Sequence, residues 1–435
     1  MLGTDVLALV AALAVAIVGI WVVHGGLGAL TGGWISASTS IAQLSGLLAS
    51  SAGLAGVVLA ARPRVIDRRY GLDRMLIWHR HLGESMALLL VVHIVAGIIE
   101  WAPDAGVFGA VRDLTGREPY MAMATVGALL IGVVTISSLR SVRRQMSYET
   151  WYLVHLLAYG GLTLSFMHEV FLGGDFADDR LARWFWIGLH VAALVVIVWG
   201  RWGRLVAALR HPLRIVSRRE VGPGTVEITL GGRALRTMRG DAGQFVMIRP
   251  MVSQLWWQAH PFSLSAAPTT ASLCLTVKDR GDASGAITSL PIGTKVAVEG
   301  PYGACTPEVL GDRKPLFVVG GVGIAPVRAI LERLAPGAEP VVLYRAHSQG
   351  DLVHLDELRA LTSRLGGRLH TLVGPTASLA VRDPFSAPML TSVVPDLRDR
   401  TAVLCGPERL LQAARRGLIV AGMPPSRIHF ERPWW

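Results

Sequence analysis

Cysteine is nearly missing from this chain: there are three in 435 residues (Cys274, Cys305 and Cys405), all in the second half and without paired spacing. That excludes a disulfide framework and fits a reducing compartment. Charge is also thin, at 17% of residues against 51% apolar. Such a chain is too greasy for one soluble domain and too charged to be membrane alone, so two regions are expected. The formal net charge of +11 includes no basic run; residues 1–210 carry 16 Arg or Lys against 13 Asp or Glu, and the remainder 26 against 18. With neither a basic stripe nor a binding motif, a nucleic-acid partner is not expected. Residues 6–23 (VLALVAALAVAIVGIWVV) lack the basic leader and small-residue cleavage site of a signal peptide, yet are long enough to span a bilayer.

Apolar stretches fill the first half. Spans are predicted at 6–23, 38–60, 82–100, 120–139, 149–168 and 184–202. Six spans put both termini on one side. Arg62, Arg64, Arg68, Arg69, Arg74 and Arg80 in one loop, and Arg140, Arg143 and Arg144 in the next on that side, mark it as cytoplasmic by the positive-inside rule. The opposite loops are acidic, with Glu100, Asp104, Asp113 and Glu118, then Glu169, Asp175, Asp178 and Asp179. The expectation is an integral cell-membrane protein with cytoplasmic termini.

Two of these stretches carry histidines where lipid-facing helices carry none: His79 and His93, then His155 and His168. Ionisable side chains inside membrane helices face bundle interiors and mark functional sites. The 14-residue step from His79 to His93 rotates only about 40° off register and rises about 21 Å, so both rings share a face. His81 falls about 120° away from His93 and reads as a helix-start residue near headgroups. The 13-residue step from His155 to His168 leaves an ideal helix about 140° out of phase. Overwinding or a kink is therefore predicted at Gly160-Gly161, between them. Paired imidazoles at two depths suit two b-type haems held non-covalently in a bundle core. No Cys-x-x-Cys-His is present for covalent attachment. Zinc is disfavoured because the pairs are too far apart to share an ion.

At His211-Pro212 the helical pattern breaks, and short β-branched runs alternate with Gly/Pro turns. Strands are predicted at 213–219, 225–230, 244–249, 272–278 and 294–299 of a small antiparallel barrel, with Val221-Gly222-Pro223-Gly224 as a hairpin turn. From Lys314 onward, apolar strands alternate with helices, as in an α/β unit with a parallel sheet. The expected architecture is a six-helix transmembrane haem bundle over 1–210, an antiparallel β-barrel over 211–312 and an α/β nucleotide domain over 313–435.

His260-Pro261-Phe262-Ser263-Leu264-Ser265 leaves a short barrel strand. A flavin site needs an apolar platform, a donor near the reactive ring nitrogen and donors for the pyrophosphate. Phe262, Ser263 and the set His260, Lys278 and Ser284 can supply these. In Phe317–Pro326 a buried strand runs into Gly320-Gly321-Val322-Gly323 and then a helix holding Pro326, which lets a pyrophosphate approach backbone amides at a helix N-terminus. The spacing is not the standard dinucleotide fingerprint, so a plain βα turn stays open on these residues alone.

Taken in order, His260-Pro261-Phe262-Ser263, Gly300-Pro301-Tyr302-Gly303, Gly320–Pro326 and Cys405-Gly406-Pro407 resemble the ferredoxin-reductase-like flavoprotein module. The first half resembles the ferric-reductase-like transmembrane domain of NADPH oxidases and ferric reductases, which carries two histidine pairs on its third and fifth helices. The resemblance implies that His260 and Ser263 contact the flavin of FAD, with Phe262 against the ring. It also implies that Gly320, Gly321 and Gly323 face the pyrophosphate of NADPH or NADH, and that Cys405, Gly406 and Pro407 border the nicotinamide. The terminal run Ile428–Trp435 looks like the family segment in which an aromatic, here Trp434 or Trp435, covers the flavin. Arg345 and Ser348 fall about where the adenosine ribose would lie, and an arginine there accommodates a 2′-phosphate, favouring NADPH.

The implied activity is transfer of electrons from cytoplasmic NAD(P)H through FAD and two haems to an extracytoplasmic acceptor. In superoxide-forming members the outer haem is flanked by a histidine one turn beyond its ligand and by an arginine on a neighbouring helix. Here Gly97 stands one turn after His93, and spans two and four have no interior arginine. Ferric chelate or another small oxidant therefore ranks first as acceptor, given acidic outer loops that can gather cations, and superoxide formation second. A subunit serving an outer-face redox protein, or a tethered flavin reductase whose histidines bind nothing, are the remaining readings.

Overall fold

The computed structural model describes residues 4–116, 120–174, 179–375 and 383–430. They form two compact units, one of Met1–Ile66 with Arg74–Trp202 and one of Asp67–Asp73 with Gly203–Trp435.

The first unit is helical. Short turns aside, its helices are α1 (Thr4–Val23), α2 (Trp34–Ala60), α3 (Leu72–Gly116), α4 (Met121–Ser138), α5 (Tyr148–His155), α6 (Leu157–Leu172) and α7 (Arg180–Ile197). Each of the six expected stretches is helical over most of its length. Among the described residues, Trp34–Ala60, Arg74–Pro103, Met121–Ser138 and Arg180–Arg210 are long and apolar enough to cross a membrane on their own, while Ala8–Val23 is shorter. The fifth stretch is interrupted at Leu156 between α5 and α6.

Two features depart from the sequence reading. The loop expected after residue 100 is largely helical, because beyond a break at Gly106 (φ 68°, ψ 171°), three residues after Pro103, a second helical stretch runs on to Gly116. Proline removes a helical donor and glycine takes that φ without strain, so one helical stretch ends here and another begins at once. The second departure is Gly160-Gly161, which does not distort its helix. A Cβ on Gly161 would lie 2.8 Å from Ile131 and 3.0 Å from the Gly127 carbonyl, and one on Gly127 only 2.7 Å from the Gly161 carbonyl. These glycines let α4 and α6 approach backbone to backbone, as small residues do between membrane helices. The overwinding sits earlier, where Leu156 N–H reaches Leu153 O (3.2 Å) and Tyr159 N–H reaches Leu156 O (3.1 Å). Such three-residue turns add roughly 20° of rotation per residue, the sense that the His155–His168 step needs.

Helix α2 is the most buried of the four long spans. Its Ser38, Ser45 and Ser51 turn their hydroxyls back onto the carbonyls of Ile35, Ile41 and Leu47 at 2.6–2.7 Å, which satisfies buried polar groups without leaving the helix. Ile17, Leu47, Val170, Ala182 and Trp186 join α1, α2, α6 and α7 in one apolar cluster.

The second unit begins with β1 (Leu213–Gly222), β2 (Thr225–Gly231), β3 (Phe245–Pro250), β4 (His260–Ser263), β5 (Leu273–Lys278) and β6 (Lys295–Tyr302). They form an antiparallel sheet ordered β4-β3-β6-β1-β2-β5, and a bridge from Leu264 to Leu275 joins its two edges. The hairpin turn between β1 and β2 lies at Pro223-Gly224, with Gly224 at φ 58°. Alternate residues such as Ile215, Ile228, Val246, Leu275 and Val298 fill the interior. A parallel sheet ordered β11-β10-β7-β8-β9 follows, built from β7 (Pro315–Gly320), β8 (Val341–Ala346), β9 (Arg368–Val373), β10 (Thr401–Cys405) and β11 (Ile428–Phe430). Helices α8 (Ile324–Arg333), α9 (Leu355–Arg364) and α10 (Glu408–Val420) pack on it. This unit also takes in Asp67–Asp73, where the buried Asp67 carboxylate accepts the Gly303 N–H at 3.1 Å.

Candidate functional site

In the helical unit the four histidines meet in the two pairs that depth alone predicts. The ring centres of His79 and His155 are 5.8 Å apart, and those of His93 and His168 6.0 Å. A metal bound end-on between two imidazoles, about 2 Å from each nitrogen, spaces ring centres by roughly 6 Å. Helix α2 orients two of the rings: His79 Nδ1 lies 2.9 Å from Gly56 O, and His93 Nδ1 2.8 Å from Ala42 O. A carbonyl only accepts, so each Nδ1 is assigned the proton and each Nε2 keeps its lone pair. The step from Ala42 to Gly56 is 14 residues, the same as from His79 to His93, so one antiparallel register of α2 against α3 serves both.

The partners on α5 and α6 are held differently. Trp151 stacks on His155 at 4.8 Å, and Ser138 Oγ lies 3.4 Å from its Nδ1. His168 Nδ1 is buried without a hydrogen-bond partner among the described residues. Glycine makes room for one of the α3 rings, since a Cβ on Gly46 would fall 2.8 Å from His93 Nδ1, whereas one on Gly56 would make only an ordinary contact, 3.6 Å from His79 Nδ1. The ring-centre spacings, the Nε2 lone pairs left free on His79 and His93, and the space at Gly46 that a methyl group would fill are features that fit ligation of haem iron. His81 is exposed beside Glu84, as a helix-start residue would be.

Sequence reasoning missed one polar cluster here. Glu169 is not in an acidic outer loop; it lies on α6, where Oε2 accepts from Ser50 (2.9 Å) and Trp186 (3.1 Å), with His190 Nε2 at 3.4 Å. Its signal was the lone His190 in an apolar stretch, whose 4-residue spacing from Trp186 places both on one face.

In the second unit, β4 carries His260, Pro261, Phe262 and Ser263 and pairs with β3. Phe262 packs against the barrel core, which makes it an anchor for the strand. Lys278 is turned toward the nucleotide side: its ammonium lies 2.5 Å from Asp351 and holds that carboxyl below its usual range. Ser284 accepts from Arg280 N–H (2.8 Å) and donates to Gly281 O (3.1 Å). Lys278 and Ser284 therefore have different partners.

The glycine motif and the cysteine motif, far apart in sequence, interlock at the ends of neighbouring strands β7 and β10. A Cβ on Gly323 would lie 2.5 Å from Cys405 O, one on Gly320 would lie 3.0 Å from Pro407, and one on Gly406 would lie 3.0 Å from Gly320 N. Gly321 sits at φ 55° with open space around it, and Pro326 is buried in α8. Tyr344, unsuspected from sequence, places its buried hydroxyl 3.1 Å from Gly321 O and so pins the turn. Arg345 is buried, and its guanidinium donates to the carbonyls of Ala346, Leu372 and Gly374. Ser348 caps a turn through Asp351, 2.7 Å away. Trp434 and Trp435 lie outside the described residues.

Residues 38–166 match the family of ferric reductase like transmembrane components, and residues 221–306 match the FAD-binding domain family. The ferredoxin reductase component of 3-ketosteroid-9-alpha-monooxygenase from Mycobacterium tuberculosis is 30% identical over 202 residues, 45% of this chain and 55% of that protein. Ferric reductase transmembrane component 3 of Saccharomyces cerevisiae is 23% identical over 65% of this chain and 38% of its own. NADPH oxidase 3 of Homo sapiens is 23% identical over 61% of this chain and 58% of its own. This chain spans about half the length of the curated relatives it matches. One polypeptide thus carries a region matching ferric reductase like transmembrane components and a region matching an FAD-binding domain.

Proposed function

We propose that this protein is a transmembrane NAD(P)H-dependent oxidoreductase that delivers electrons to a small oxidant, ferric chelate first, on the extracytoplasmic face. The observation that carries the reading is the pair of histidine couples, 5.8 and 6.0 Å between ring centres, in a unit matching ferric reductases. When bound, nicotinamide supplies electrons in twos, haem iron takes them singly, and flavin converts between the two. Within the helical unit, His79 with His155 and His93 with His168 would hold the two irons, and Gly56 and Ala42 carbonyls orient the α3 ligands. In the second unit, the β4 strand and the turn Gly320–Gly323 would seat the flavin and the nicotinamide cofactor. The arginine-rich loops support cytoplasmic placement of the NAD(P)H site and of both termini.

Two measurements test this. A reduced-minus-oxidised absorption spectrum of the purified protein is expected to show b-type haem, and its absence removes the electron path and leaves a tethered flavin reductase. In vesicles supplied with NADPH on the cytoplasmic side, ferric chelate outside is expected to be reduced several-fold faster than superoxide appears, at a rate insensitive to superoxide dismutase. Suppression by that enzyme moves the assignment to superoxide formation. Little turnover with any small acceptor moves it to a subunit serving an outer-face redox protein.

NADPH is proposed over NADH on the strength of Arg345. For this, the guanidinium has to leave the carbonyls of Ala346, Leu372 and Gly374. Arg345→Ala is expected to lower the NADPH/NADH ratio of kcat/KM, and an unchanged ratio removes Arg345 from nucleotide selection.

A further inference from the structure

A second charged cluster lies in the second unit, where the barrel strands meet the nucleotide-side helices, and the proposed activity has not used it. Its centre is Arg328, on helix α8, which begins in the glycine turn and is 9% exposed. One of its terminal nitrogens donates to the Ser265 carbonyl at 3.0 Å and to Glu227 Oε1 at 3.2 Å. Its Nε lies 2.7 Å from Glu357 Oε2 on α9, and its other terminal nitrogen 3.7 Å from Glu332 Oε1. Glu332, one turn further along α8, accepts the Ala267 N–H at 2.7 Å. Ser265 and Ala267 directly follow the strand that carries the flavin motif, and Glu227 lies on β2.

The same seam is fastened at further points. Arg219 reaches both Glu227 (2.8 Å) and Glu357 (2.9 Å), and Lys278 of β5 meets Asp351. His354 Nε2 lies 2.9 Å from Thr276 Oγ1, while its Nδ1 is 3.6 Å from Glu357 and 3.8 Å from Glu227. Burial and then the Arg328 charge hold His354 below its usual range, so at neutral pH it adds no charge to the cluster. Buried ion pairs add little net stability over apolar packing, and their best-attested use is to fix one arrangement among several. Apolar surfaces slide, whereas a guanidinium hydrogen-bonded to Ser265 and Glu227 and ion-paired with Glu357 sets distances and angles.

We propose that Arg328 is a positioning residue for electron transfer from the nicotinamide: it sets the glycine turn, and with it the bound nucleotide, against the flavin-motif strand. This rests on the reading of the two motifs as FAD and NAD(P)H sites. Misplacement by about 1 Å costs on the order of 10²-fold in rate, so Arg328→Met is expected to slow flavin reduction at saturating NADPH by about 10- to 100-fold. FAD content and KM should change little. Arg328→Lys should recover only part, because a point charge cannot bridge Ser265, Glu227 and Glu357 together.

The experiment uses full-length protein in detergent. FAD per chain is measured first, then the anaerobic loss of flavin absorbance on mixing with NADPH, then the long-wavelength charge-transfer absorbance of the dithionite-reduced protein with NADP⁺. The positioning role predicts retained FAD, slow reduction and weakened charge-transfer absorbance, with reoxidation by ferricyanide unchanged. Reduction at the wild-type rate with FAD retained overturns it. If Arg328→Met does not fold, Glu332→Gln is read in the same way on the same seam, with a smaller slowing expected and a wild-type rate again overturning the proposal. A wild-type protein that holds no FAD, or that NADPH does not reduce, overturns instead the functional reading beneath it.

Discussion

Replacing His93 with leucine is expected to halve the haem content, leaving one haem per FAD, while the rate of NADPH oxidation with a soluble dye stays at the wild-type level. The α3 histidines are 14 residues apart, about 21 Å along the helix, and each meets its own partner on α5 or α6. Leucine keeps the volume but offers no lone pair, so a haem held there would lose one of its two protein ligands. His168→Leu should give the same spectrum, and His79→Leu or His155→Leu should remove the other haem. Delivery of electrons to ferric chelate across the membrane should fail in all four, because a path in series has no bypass. Equal loss of both haems in His93→Leu would mean that the bundle collapses without either. A full complement would sink the ligand assignment.

Much of this site was legible in the sequence because membrane helices make histidine costly and leave periodicity undisturbed by water. The pairing followed from rise per residue alone, since 14 and 13 residues are nearly equal lengths even though the rotations differ. Phase was the weaker guide. Gly160-Gly161 looked like the place to correct it, but sequence does not show whether a glycine bends its own helix or admits a neighbour, and here Gly161 admits α4. Glu169 was misplaced for a related reason: an acidic residue near a span end reads as solvated, and only the fold brings Ser50, Trp186 and His190 around it.

In the second unit the order of motifs gave the strands, because each run of alternating residues ends at a glycine or proline turn. It did not give the partners of single charged side chains. Lys278 reads as a phosphate donor from its place at the end of a barrel strand, yet Asp351, which meets it, belongs to the other sheet's connections. Arg328 reads as an ordinary polar residue on an amphipathic helix. Its burial depends on Glu227, about 100 residues earlier, and long-range charge pairing leaves no periodic trace in one sequence.

The glycines of α2 allow the two histidine pairs to be told apart without touching a ligand. In a helix each Cα–Cβ bond tilts toward the N-terminus, so a side chain at 46 projects over the turn that ends at Ala42, whose carbonyl orients His93. A methyl group there would sit 2.8 Å from His93 Nδ1 and 3.0 Å from Cε1, inside van der Waals contact. A ring that held iron at one nitrogen and a carbonyl at the other could not swing aside without losing one of the two bonds. Gly46→Ala is therefore expected to lower the affinity for the haem assigned to His93 and His168 by about 10- to 100-fold, the usual cost of disturbing the group that orients a ligating histidine. Gly56→Ala places its methyl 3.6 Å from His79 Nδ1, an ordinary contact, so it should leave both haems at wild-type occupancy. The comparison is read from haem per FAD and from the two haem midpoint potentials after purification through a haem-free detergent wash. Equal occupancy in the two variants would show that α2 does not orient His93, and loss of the haem assigned to His79 and His155 alone in Gly46→Ala would reverse the pairing of carbonyls with histidines.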